Sequence, residues 1–142
     1  SPVHTINKYV RIAKEQVEMG VASLCIKDMA GILTPIKAER LVCALTRAVS
    51  VPIHLHCHET GGLGAPSYVE GVRAGASVID CAISSMAGFS SQPPVETLLT
   101  IFDETPFRAG LDRDALRKIC KYFVDLARTR QSGAQPANII DP

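Results

Sequence analysis

The chain has 142 residues, 46% of them hydrophobic, and its 15 Lys and Arg nearly balance 14 Asp and Glu for a formal net charge of +1. That length and composition fit a globular domain with a real core and exclude a disordered or fibrous chain. With no basic cluster interleaved with aromatics the footprint of a nucleic-acid binder is missing, which leaves a small molecule or another protein as partner.

Short apolar runs rich in β-branched residues alternate with segments of helical period, the pattern of βα units around a parallel sheet. Thr5 suits a helix N-cap, Tyr9, Val10, Ile12, Ala13, Val17 and Met19 recur at helical spacing, and Gly20 suits the C-terminal end. Residues 22–27 then read as a buried strand ending in Lys27, and 28–31 as a loop leading to Pro35, a residue that suits a first helical turn. Over 36–49 Ala38, Leu41, Val42, Leu45 and Val49 share one helical face. In the second strand, 53–58, strict alternation puts Ile53, Leu55 and Cys57 on one side and His54, His56 and His58 on the other. A glycine-bearing loop at 61–64, a helix around 68–74 ended by Gly75, and a third strand over 77–83 follow. A polar loop with Ser84, Ser85, Ser90, Ser91 and Gln92 leads to a helix beginning near Pro93 and Pro94. The reading is therefore three strands, each followed by a helix. Beyond Thr105 the texture changes: Pro106 and Gly110 precede an amphipathic segment over 112–130 carrying Leu116, Ile119, Tyr122, Phe123 and Leu126, and the tail over 131–142 reads as extended.

Five scattered cysteines with no CxxC pair argue against a disulfide framework or a cysteine zinc site and for a reducing compartment. No apolar run approaches the ~20 residues that span a bilayer, and no basic segment precedes an apolar one at the N-terminus, so the expectation is a cytoplasmic protein. The start at Ser1 rather than methionine points to a processed or truncated product.

The chemistry concentrates at the strand ends. His56 and His58 lie two apart on a strand, so their β-carbons project to one face roughly 6.5 to 7 Å apart, close enough for both imidazoles to bind one metal at about 2.0 to 2.2 Å. His-x-His alone is a weak motif, equally read as two polar residues at a strand end. His54 shares the face but lies deeper, as a hydrogen-bonded core histidine or a support for the other two. Lys27 ends an apolar strand where parallel α/β sheets bind ligands, or simply snorkels out of the sheet edge. A lysine ammonium has no acceptor, so to ligate a metal Lys27 must be neutral or be converted to a carbamate. Asp28 could orient Lys27 or its loop, Asp80 reads as a buried hydrogen-bonded group within the third strand, Glu59 and Thr60 adjoin the histidines, and Ser84, Ser85 and Gln92 face the same end. No nucleophile elbow, Walker loop or dinucleotide fingerprint is present; Gly61, Gly62 and Gly64 are too closely spaced for one.

Three segments in order, Ile26-Lys27-Asp28-Met29-Ala30-Gly31, Leu55-His56-Cys57-His58 with Thr60-Gly61, and Ala82-Ile83-Ser84-Ser85-Met86 with Gln92-Pro93, resemble barrel motifs of biotin-dependent carboxyltransferases. The resemblance is to the oxaloacetate decarboxylase alpha chain, the pyruvate carboxylase carboxyltransferase domain and the transcarboxylase large subunit; it runs over residues 1–128 and includes the opening Ser1-Pro2-Val3-His4-Thr5. It implies an α/β fold that is part of a TIM (β/α)8 barrel: residues 1–105 carry the last three strands with their helices, and 106–142 a post-barrel helix and extended tail. It also implies a divalent metal, manganese, zinc or cobalt, held by a carbamylated Lys27 with His56 and His58, Lys27 being also the catalytic residue. The reaction implied moves a carboxyl group between biotin, carried on a separate carrier protein or domain, and pyruvate or oxaloacetate through an enolate.

In that family an aspartate near the end of the first barrel strand is a further ligand; here the early strands and the region receiving carboxybiotin have no counterpart. Three βα units cannot close a barrel and leave two parallel edges unpaired. The expectation is that the chain needs the remaining barrel half or self-association and is inactive alone. Two other readings stay open: a fragment of a hydroxymethylglutaryl-CoA lyase or isopropylmalate synthase-like barrel, and a non-catalytic remnant or interaction module.

Overall fold

A computed structural model describes residues 3–130 of the chain. The first helix, α1 (Ile6–Glu18), starts where Thr5 accepts a hydrogen bond from the Lys8 backbone N–H at 3.3 Å and ends before Gly20, whose φ of +92° reverses the chain. Strand β1 (Leu24–Asp28) is followed by α2 (Pro35–Ala48), begun by Thr34 as N-cap and Pro35 in its first turn. Strand β2 (Ile53–Cys57) precedes α3 (Gly64–Arg73), and β3 (Val78–Ile79) precedes a 3-10 turn at Ser84–Met86 and α4 (Val95–Phe102). The long amphipathic segment forms α5 (Arg113–Arg130), which packs on the 3-10 turn. The extended tail expected over 131–142 lies outside the described residues.

The sheet is parallel with order β1-β2-β3, as βα alternation requires. Ile53, Leu55 and Cys57 of β2, each at most 1% exposed, point to the helical side together with Leu24 of β1. They pack with Leu41, Val42 and Leu45 of α2, Tyr68 of α3, and Leu98 and Phe102 of α4 into a single core. At Gly71 of α3 an added β-carbon would lie 2.2 Å from Leu55 Cδ1, so a side chain there would have to displace Leu55 within the core.

The opposite face has no helical cover among the described residues. Cys25 and Lys27 are exposed there, His54 and His56 half-buried, and Val78 is 46% exposed. The outer edges of β1 and β3 pair with no strand among the described residues, and each borders an open groove.

The first two strands each form one residue fewer than their sequence reads, and the third is far shorter. Residues 77–83 scan as a seven-residue apolar run, yet the ladder to β2 holds only from Ser77, whose N–H donates to Ile53 O, to Asp80, whose N–H donates to Leu55 O. Past Asp80 the chain leaves the sheet. Ala82 pairs instead with the segment entering α4, donating to Pro93 O and accepting from the Val95 N–H. No described helix is long and apolar enough to cross a membrane.

Candidate functional site

The parallel register sets Lys27 beside His56 and Cys25 beside His54. Partners across a parallel ladder project to the same face, so Lys27, His54 and His56 share the uncovered side of the sheet. His58 follows one residue after β2, and its N–H donates to Asp28 O at 2.9 Å, carrying the β1 to β2 ladder one step further and keeping its side chain on that face. The rings of His56 and His58 lie with centroids 5.4 Å apart, tilted by 50°.

The loops beneath this strand end explain two of the sequence segments. The Asp28 carboxylate accepts the Leu33 N–H at 2.7 Å and so holds the loop after β1 rather than Lys27. Gly31 has φ +64°, and a β-carbon there would lie 2.8 Å from His58 O and 3.1 Å from Thr60 N, so the loop after β1 can lie flat against the loop after β2 only with glycine. Thr60 Oγ1 donates to Phe89 O at 3.0 Å, tying in the loop after β3.

Tyr68 fixes the strand end from the core side. Its hydroxyl, fully buried, accepts the Cys57 N–H at 2.8 Å and donates to Cys57 O at 3.4 Å, gripping the peptide between the two histidines. Burial pushes both the Tyr68 hydroxyl and the Cys57 thiol up, the latter to about 12, so each stays protonated at neutral pH. Tyr68→Phe leaves the Cys57 N–H without its partner and is expected to lower stability by about 1 to 3 kcal/mol, read as a lower urea midpoint at unchanged slope.

Asp80 is the residue whose part the sequence understated. It sits at the end of β3, its side chain 39% exposed, with Oδ2 2.6 Å from His56 Nδ1 and Oδ1 2.8 Å from His54 Nε2. The contact to His56 is a well-formed hydrogen bond; His54 Nε2 approaches off the line of a ring N–H bond and makes a close electrostatic contact. Burial opposes ionisation of Asp80, but the hydrogen bond from His56 and the close approach of the His54 ring outweigh it and hold the carboxyl below its ordinary value. On the far side of the His56 ring the Gln92 amide nitrogen lies 3.3 Å from Nε2. Of the three polar loop residues anticipated near the site, only Gln92 reaches a histidine. Ser84 bonds to Glu96 and contacts Cys120 at 3.1 Å, and Ser85 Oγ is buried with no hydrogen-bond partner among the described residues. Glu59 bonds to neither histidine; its carboxylate lies against Gly64 at the start of α3, where the helix dipole favours negative charge.

The donors brought together are two imidazoles and one amine. Among the described residues no cluster of three or more His, Cys, Asp and Glu side chains is arranged to hold a metal. The chemistry of the set nonetheless suits one: His56 is anchored through Nδ1, which leaves Nε2 as its ligating atom, His58 is adjacent, and Lys27 is in register. Lys27 is exposed at this strand end, on the face that no described helix covers.

The HMGL-like family model matches residues 3–123. The chain belongs to the HMGL-like family. Among curated relatives of this HMGL-like chain, the pyruvate carboxylase of Bacillus subtilis is 49% identical over 115 residues, covering 81% of this chain and 10% of the relative. The methylmalonyl-CoA carboxyltransferase 5S subunit of Propionibacterium freudenreichii subsp. shermanii is 38% identical over 125 residues, 87% of this chain and 25% of the relative. The carboxyl transferase domain of Rhizobium etli pyruvate carboxylase, solved with pyruvate and biocytin, superposes with a TM-score of 0.86 at 32% identity, over 89% of this chain and 21% of that one. The chain thus spans about a quarter or less of the relatives it matches. The resemblance to carboxyltransferases and the fold expected from it, part of a TIM barrel, are both borne out.

Proposed function

We propose that this chain supplies the Lys27, His56 and His58 portion of the metal centre of a biotin-dependent carboxyltransferase acting on pyruvate or oxaloacetate. The observation that carries the proposal is the register of β1 on β2, which sets Lys27 beside His56 at the carboxyl ends of parallel strands, where barrels bind their ligands. The relative that is a carboxyltransferase component, and the neighbour solved with pyruvate and biocytin, support the same reading.

In this reading His56 and His58 hold the cation through their imidazoles, and Lys27, as its carbamate, is the third ligand and the catalytic residue. The donor set suits manganese, zinc or cobalt without choosing among them. When bound, a divalent cation lends Lewis-acid stabilisation to charge developing on a keto oxygen, a contribution of several kcal/mol. The residues of the chain do the rest by position: Asp80 orients His56, Tyr68 fixes the peptide between the histidines, and Gly31 lets the loop after β1 close beneath them. Biotin arrives on a separate carrier protein or domain. Residues 1–105 act as the barrel portion and 106–142 as an appended helix and tail, and the location is cytoplasmic.

The open edges of β1 and β3 and the exposed inner face bear on activity, since unpaired parallel edges and an uncovered barrel interior are unstable alone. The isolated chain is expected to self-associate, or to pair with the remaining barrel units, and to show no oxaloacetate decarboxylation by itself. Size-exclusion chromatography with light scattering and a coupled assay of pyruvate release check this. Metal-dependent turnover by a monomer of the isolated chain contradicts it.

A further inference from the structure

The uncovered face holds one contact that the proposed ligand set does not account for, the carboxylate of Asp80 between two histidines. An imidazole at a strand end has two nitrogens and two ring orientations, and only one combination presents a given nitrogen outward with a free lone pair. The His56 ring is half-buried on a face with no helical cover, so the core does not select the orientation. Asp80 does, through the 2.6 Å bond from Nδ1–H to Oδ2, and the Gln92 amide, 3.3 Å from Nε2 on the far side of the ring, favours the same tautomer as a donor that an incoming cation would displace. The carboxylate is itself fixed at both ends. Its backbone N–H closes the β2 to β3 ladder on Leu55 O at 3.0 Å, and its other oxygen lies 2.8 Å from His54 Nε2. The ladder places Val78 beside His54 and Ile79 beside Leu55, so Asp80 stands level with His56 and one carboxylate can serve both rings. His54, which the sequence leaves as a core or supporting histidine, thereby acquires a definite place at the far oxygen.

We infer that Asp80 is a positioning residue that locks His56 in its Nδ1–H tautomer with Nε2 presented outward, and that His54 holds the Asp80 carboxylate in place. The role of the presented nitrogen rests on the metal-centre reading above; the locking of the ring does not. The geometry is that of a carboxylate bonded to the far nitrogen of a metal-binding imidazole, an arrangement whose removal weakens metal binding by about 10- to 100-fold.

Two measurements on the 142-residue chain separate the claims. The first is long-range 1H–15N NMR of the histidine rings at pH 8 without added metal. His56 in the wild-type chain is expected to be protonated at Nδ1, and in Asp80→Ala to shift toward protonation at Nε2, while thermal unfolding confirms that the variant is folded. A wild-type His56 unprotonated at Nδ1 overturns the inference without any substitution, so it stays decidable even if Asp80→Ala does not fold. The second is titration with Mn2+ and Zn2+ followed calorimetrically. Asp80→Ala is expected to weaken binding about 10- to 100-fold and His54→Ala by a smaller factor. Unchanged affinity in a folded Asp80→Ala overturns the positioning role toward metal. If the wild-type chain binds neither ion, Lys27, His56 and His58 do not form a metal site by themselves, and the NMR result alone decides whether Asp80 locks His56.

Discussion

Replacing His56 or His58 by alanine is expected to weaken the binding of Mn2+ or Zn2+ at least a hundredfold, about 2.8 kcal/mol at 1.4 kcal/mol per tenfold. Each imidazole supplies one of a small number of short metal bonds, so its removal costs a full ligand rather than an orienting contact. The scaffold survives either change, because the buried half of β2 is Ile53, Leu55 and Cys57 and the histidines face the uncovered side. Equilibrium dialysis with elemental analysis of the retained metal checks the result, with circular dichroism as the control for folding. Equal metal retention by wild type and both variants rules out the histidine pair as ligands and favours a non-catalytic interaction module.

The largest effect on stability is expected at Leu55. It is fully buried at the middle of the central strand, and its side chain meets the bare backbone of α3 at Gly71. Leu55→Ala opens a cavity against the tightly packed backbone of α3 at Gly71, and large-to-small changes of this kind cost about 2 to 5 kcal/mol. Against the 5 to 15 kcal/mol stability of a typical domain that is roughly a third of the total. Val78→Ala on the other face, where Val78 is 46% exposed, is expected to change stability by no more than about 0.5 kcal/mol. Urea unfolding of the two variants side by side tests which face of the sheet is core. Equal losses would mean that the inner face is covered in the protein as it exists in solution.

What could be read from the residues alone follows from the range of the physics involved. The caps at Thr5 and Gly20, the first-turn Pro35 and the strict alternation of β2 act over a few residues, and each holds in the fold. The shared face of His56 and His58 is likewise a matter of period two. The pairing of Lys27 with His56, and of Asp80 with both His54 and His56, depends on how three strands separated by whole helices come into register, which no local pattern encodes. Asp80 reads in sequence as a polar interruption of an apolar strand, and its half-exposed place follows from β3 ending at Ile79, well short of the strand read over 77–83. The turn at Ser84–Met86 and the reach of Gln92 to His56 across 36 residues are likewise tertiary placements that no local pattern encodes. The resemblance to carboxyltransferases compensated for part of this, because ordered motifs carry register information that periodicity does not.

The most direct test of the metal centre is anomalous diffraction at the manganese or zinc edge from crystals of the chain grown with the ion and bicarbonate. A single strong peak bonded to Nε2 of His56 and to the imidazole of His58 is expected, with carbamate density extending the Lys27 side chain toward it. A peak elsewhere on the chain, or none beside His56 and His58, contradicts the metal centre.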